Sequence, residues 1–133
     1  MIPVYVRRVG VLHPNEHGYS GTIATYDWPE GVDVTLVCEI APPSERARFA
    51  PDYLGRWGKA PIIRAWRQED ERFGILQVLE VSLDGPELAK PLKFVAVERV
   101  DQPDVLDVWW WRGLEDFDSP RDAVANVILG EIA

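Results

Sequence analysis

The chain is poor in the residues that build most catalytic and metal centres: its 133 residues include one cysteine, two histidines and one methionine. The lone Cys38 excludes an intramolecular disulfide and any cysteine-based zinc site held within one chain, and it fits a reducing compartment better than an oxidising one. No apolar run approaches the ~20 residues that a membrane helix needs. Residues 1–11 are interrupted by Pro3, Arg7 and Arg8, so no signal peptide is expected either. Neither G-x-G-x-x-G nor a P-loop pattern occurs, which removes nucleotide binding through a glycine-rich helix start. A cytoplasmic protein without a cofactor is the expectation.

What the chain does contain is ordinary globular material, 47% hydrophobic and 27% charged, far from the composition of disordered segments. At this length it reads as one domain over residues 1–133, large enough to bury about two-thirds of its unfolded surface. Its charge is unevenly spread. Residues 44–68 hold six basic side chains (Arg46, Arg48, Arg56, Lys59, Arg64, Arg67) against Glu45 and Asp52, a local +4 in a chain of net −8. Residues 100–133 hold eight acids against Arg112 and Arg121. Such asymmetry bears on partners and not on fold.

Hydrophobic periodicity is mostly two. Val34, Leu36, Cys38 and Ile40 alternate with Asp33, Thr35 and Glu39; Ile2, Val4 and Val6 alternate likewise. The same holds for Ile75, Leu79 and Val81 around Gln77 and Glu80, and for Phe94 and Ala96 opposite Lys93, Val95, Val97 and Arg99. Alternation of this kind marks antiparallel sheets with one drier face. Hairpin connections are expected at Pro29-Glu30-Gly31, between residues 22–27 and 32–41; at Glu69-Asp70-Glu71, between 62–67 and 73–83; and at Gln102-Pro103-Asp104, between 92–100 and 105–111. Residues 41–59 carry Pro42, Pro43, Pro51, Gly55 and Gly58 and read as a loop with a short helix from Ser44 through Phe49. Ser119-Pro120-Arg121-Asp122 has the form of a capping box with proline at the first helical position, followed by Val124, Val127, Ile128 and Ile132 at helical spacing. The expected fold is therefore α+β: a meandering antiparallel sheet of six or seven strands, open or partly closed, with one C-terminal helix packed on it.

Few motifs bear chemistry. His13-Pro14-Asn15-Glu16-His17 fits H-x-x-E-H, in which two histidines one helical turn apart bind zinc and the glutamate acts as base. That chemistry needs a helix, whereas Gly10 before the motif and Gly18 and Gly21 after it leave room for one turn at most. A solvated turn is the simpler reading. Gly18-Tyr19-Ser20-Gly21 approaches a nucleophile elbow, but Thr22 stands where that motif requires glycine and a strand follows in place of a helix.

Trp109-Trp110-Trp111 is the most unusual string. In a strand, Trp109 and Trp111 share a face with Asp107 while Trp110 shares the other with Leu106 and Val108, so at least one indole should approach the surface. Tryptophan there serves either packing or a contact. The basic stretch interleaves Arg56 and Arg64 with Trp57 and Trp66, a pattern suited to phosphates and stacked bases. The chain's net −8 and pI near 4.7 oppose an extended polyanion. Three readings result. The first is a small acidic non-catalytic protein acting through a protein partner or through self-association, the basic stretch of one copy meeting the acidic C-terminal third of another with a tryptophan from 109–111 at the contact. The second is a binder of nucleic acid or a phosphate-bearing ligand through Arg46 to Arg67. The third is a metal-dependent enzyme using His13, Glu16 and His17. Candidate binding residues are Arg56, Trp57, Arg64, Trp66, Trp109, Trp110 and Trp111; no catalytic or metal-binding residue is assigned.

Overall fold

The computed structural model describes residues 5–24, 29–38, 50–57, 60–84 and 92–112. These form eight strands: β1 (Tyr5–Pro14), β2 (Gly18–Ile23), β3 (Val32–Cys38), β4 (Tyr53–Trp57), β5 (Ala60–Gln68), β6 (Val78–Leu83), β7 (Leu92–Glu98) and β8 (Leu106–Arg112). Each pairs antiparallel with its sequence neighbour, and β8 returns to pair with β1, from Tyr5 opposite Arg112 to Leu12 opposite Leu106. The result is a closed up-and-down barrel.

This corrects the α+β expectation of six or seven strands. The described residues contain no α-helix, only a single 3-10 turn at Glu71–Phe73. The proposed C-terminal helix from Ser119 and the short helix from Ser44 to Phe49 lie outside the described residues. One strand, β4, lies in the segment expected to be loop, and β1 extends well beyond the alternation at Ile2, Val4 and Val6. β1 runs on through His13 to Pro14, where proline is tolerated at a strand terminus. β4 holds Gly55 at its centre, and a Cβ there would sit 2.0 Å from the Thr35 carbonyl oxygen, so the glycine permits a close strand approach instead of breaking the strand. A third correction concerns residues 73–83. Only Val78–Leu83 is strand; Ile75 is fully exposed at a loop tip and Phe73 is buried outside the barrel.

Alternation sorts the side chains. Inward-facing Leu12, Ile23, Val34, Leu36, Ile63, Leu79, Phe94, Leu106 and Val108 are each at most 1% exposed and belong to one core that fills the barrel. Eight strands give an interior just wide enough for side chains to fill. Outward positions carry Asp33, Arg56, Arg64 and Lys93. Apolar inside with charge outside is the reverse of a lipid-facing barrel. No helix among the described residues is long and apolar enough to cross a membrane.

One sector of the exterior is also dry. The β5–β6 connection folds back over the outside of the sheet and sets Phe73 on Val78, Val95 and Val97, with Leu76 and Trp109 at its margin. Asp70 caps the 3-10 turn by accepting from the Arg72 N–H, and Gly74 ends it at φ 61°, a left-handed conformation that favours glycine. The run Phe94 to Val97 is apolar at every position because both of its faces are covered.

Candidate functional site

A closed barrel has no free strand edge, so whatever it recognises among its described residues must be met by side chains or loops. Two grooves on the outer wall collect the residues of interest.

The first lies across β3, β4 and β5. Register places Val37 directly opposite Leu54, Leu54 opposite Arg64 and Arg64 opposite Ser82, a row that crosses four strands. Thr35 stands opposite Arg56 one step along. Direct cross-strand neighbours have Cβ atoms about 5 Å apart, so these side chains form one surface. Thr35, Val37, Leu54, Gly55 and Arg56 line a shallow groove of about 390 Å³. Val37 is 47% and Leu54 43% exposed, two aliphatic side chains left beside each other in water. Neither Arg56 nor Arg64 forms an ion pair among the described residues. Trp66 is half-buried on the outward side of β5, opposite Glu80.

The structure therefore brings Arg56, Arg64 and Trp66 to one face. It gives Trp57 a backbone position at the end of β4, opposite Val34 and Ala60, and its side chain is outside what is described. Arg67, from the same basic stretch, points elsewhere. Its guanidinium lies 5.1 Å from the Tyr53 ring centre and donates to the Tyr53 hydroxyl at 2.9 Å, closing one end of the barrel. Arg46, Arg48 and Lys59 lie outside the described residues. Sequence reasoning missed Val37 and Leu54. Val37 interrupts the polar side of its own strand, which was the available signal, whereas Leu54 was hidden in a segment read as loop.

The second groove, about 440 Å³, is lined by Leu76, Val97, Val100 and Trp109 together with Arg8, Glu98, Arg99, Asp101 and Asp107. Here the charges are already matched. Asp107 accepts from Arg99 Nε at 3.0 Å, lies 3.0 Å from Arg99 Nη2, and has Arg8 Nη1 at 3.7 Å. The Asp107 hydrogen bond raises the Arg99 pKa above its ordinary value, so the guanidinium stays charged. The tryptophan run obeys strand alternation. Trp110 packs on the inner core while Trp109 packs on the outer cluster, where its indole N–H is buried without an acceptor among the described residues. Trp111 is defined by its backbone pairing with Val6 alone.

The sequence motifs resolve into hairpin structure. Asn15 makes the β1–β2 turn: its side-chain oxygen accepts from the N–H groups of His17 and Gly18, both at 2.9 Å. His13 is the penultimate residue of β1, and His17 and Glu16 sit exposed in the turn, 3.9 Å apart at Nε2 and Oε2. The helical face that H-x-x-E-H chemistry needs is not formed. No three His, Cys, Asp or Glu side chains converge as metal ligands among the described residues. Gly18-Tyr19-Ser20-Gly21 is plain strand with Tyr19 pointing into the barrel, so Ser20 has no strand-to-helix turn beneath it. Tyr19 packs 5.6 Å from the Tyr53 ring, donates to Gln77 Oε1 at 2.8 Å, and is pushed up to about 12 in pKa, first by burial and then by Tyr53. Gln77 is held in turn, its N–H donating to Glu98 Oε1 at 3.0 Å. These groups seal the barrel end, and none of them is arranged as a nucleophile with a base.

Comparison with curated proteins gave no match, and neither did comparison with solved structures. Residues 8–113, from the body of β1 to just past the end of β8, match the family described as "Protein of unknown function (DUF736)", and the chain belongs to that family.

Proposed function

We propose that this protein is a non-catalytic, cytoplasmic docking domain that binds an acidic, partly apolar protein surface through the outward face of β3, β4 and β5. The observation that carries this reading is the exposed Val37–Leu54 pair in direct cross-strand register, flanked by Arg56 and Arg64 without ion partners among the described residues. Covering two half-exposed aliphatic side chains is worth about 1–2 kcal/mol, and each rim ion pair adds roughly 0.2–1 kcal/mol. These terms sum to no more than about 4 kcal/mol before the cost of association, so such a patch supports only weak binding, with Kd on the order of 1 mM or weaker. Recognition by an added strand is not open to a barrel whose walls are all paired. The chain's −8 charge weighs against a nucleic-acid partner, since two outward arginines release few counterions while the rest of the molecule repels phosphate.

Fluorescence anisotropy distinguishes these partners. A labelled synthetic peptide alternating glutamate or aspartate with leucine and phenylalanine should bind in that range and lose at least tenfold affinity on Leu54→Asp. A labelled oligothymidylate should bind no more tightly than nonspecific charge attraction allows at 150 mM salt. Submicromolar binding of the oligothymidylate, with the peptide inert, would overturn the reading in favour of a nucleic-acid surface.

A further inference from the structure

We infer that the partner of the β3–β5 face is a second copy of this chain, which docks on it with the tips of its β5–β6 and β7–β8 connections. The inference rests on the docking reading above and names its occupant. Among the described residues, the large hydrophobic side chains left exposed are Val37, Leu54, Ile75 and Val100. They fall into two patches of opposite charge. Val37 and Leu54 lie beside Arg56 and Arg64, whereas Ile75, fully exposed, and Val100, 70% exposed, stand in connections that hold five acids against Arg72 and Arg99. Arg72 is committed to Asp70 and Arg99 to Asp107, so the exposed Glu69, Glu71, Asp101 and Asp104 set the sign of that surface. It is acidic and partly apolar, as the docking face requires.

The two connections are tied together and built before they bind. The Glu98 N–H donates to the Gln77 carbonyl at 2.9 Å, the Gln77 N–H donates to Glu98 Oε1 at 3.0 Å, and Leu76 and Val100 line the same groove. Asp70 caps the 3-10 turn, Phe73 is 3% exposed and anchors it, and a Cβ added to Gly74 would meet nothing within 4 Å. Ile75 is thus held out in water on a fixed turn, at little further cost in ordering when it docks. The shallow groove beside Val37 and Leu54 is its receptor.

Geometry makes the contact intermolecular and sets its symmetry. Both patches are exposed on one closed barrel, so neither covers the other within the molecule. Phe73 anchors the tips over β6 and β7, and β7 lies three of the eight strand spacings from β4. The patches therefore look in different directions, and one neighbour cannot meet both. Each copy gives its tips to one neighbour and its face to another, a head-to-tail contact that grows past the dimer.

The test uses two variants of the full chain, each blind at one patch. Leu54→Asp keeps the tips and spoils the face; Ile75→Asp keeps the face and spoils the tips, and neither side chain belongs to the buried core. With Kd on the order of 1 mM, sedimentation of the wild type from about 0.1 to about 2 mM should show the average mass rising past that of a dimer. Raising the salt from about 50 to about 500 mM should weaken this at least threefold. Each variant alone should associate at least tenfold more weakly. Nitrogen-15-labelled Ile75→Asp titrated with unlabelled Leu54→Asp should show amide shifts at residues 34–38, 53–57 and 63–66, and the reverse labelling should show them at 74–76 and 99–104. The mixture should stop at a heterodimer, because neither species can add a further copy. A wild type that stays monomeric at about 2 mM, or a mixture whose spectra do not shift, overturns the inference. If the acidic peptide still binds and Leu54→Asp still abolishes that binding, only the identity of the partner has failed; if neither holds, the docking face has failed with it.

Discussion

Tyr19 sits where the barrel interior meets its sealed end, its hydroxyl tied to Gln77 and its ring against Tyr53. Burial favours the neutral phenol, so its pKa rises from the ordinary 10 to about 12. Between those values the unfolded chain has lost this proton and the folded chain keeps it. Stability is therefore fully present below pH 10 and falls as pH rises toward 12. Tyr19→Phe should remove this part of the alkaline loss, and the difference between wild-type and variant tyrosinate absorbance should titrate near pH 12. A difference centred at 10 would mean that the phenol is not buried as described. At this scale much was legible in the sequence. The opposite facing of Trp109 and Trp110 follows from strand alternation alone. What alternation cannot supply is the environment on each side: Val95 and Val97 face outward and are nonetheless buried, because a loop from elsewhere covers them.

β4 is the element on which the site depends, and it was the least legible. Five residues with a central glycine, preceded by prolines, carry no strand signature on their own. They are strand because β3 and β5 pair with them on both sides. Gly55→Ala tests this. The added Cβ meets the Thr35 carbonyl oxygen at 2.0 Å, which cannot yield without moving β3, and the Leu36 side chain at 2.8 Å. Chemical denaturation should show a loss of about 1–3 kcal/mol, and peptide affinity should fall with it because Val37 moves with β3. Unchanged stability would place Gly55 in an ordinary strand position. The β5–β6 connection misled for the opposite reason. Ile75 and Phe73 fit a period of two with the strand that follows, yet one is fully exposed and the other packs on the outer wall. Periodicity reports a repeating face and not which surface covers it.

At the scale of the molecule, the antiparallel meander could be read from alternation and turn residues, and closure could not. The β1–β8 pairing joins residues about a hundred positions apart and leaves no local trace. Closure has the larger functional consequence, because it removes the edges through which an open sheet would bind and leaves recognition to the outer wall. There the basic segment of the sequence divides in space: Arg56 and Arg64 face outward beside exposed aliphatic side chains, and Arg67 turns to seal the barrel end. The central claim is that the β3–β5 wall is the working surface. Amide chemical-shift mapping of the full chain, labelled with nitrogen-15 and titrated with the acidic peptide, tests it residue by residue. Perturbations should cluster at residues 34–38, 53–57 and 63–66 and be absent from the same titration of Leu54→Asp. Perturbations centred instead on Trp109, Val100 and Leu76 would place the surface on the opposite wall and contradict the claim.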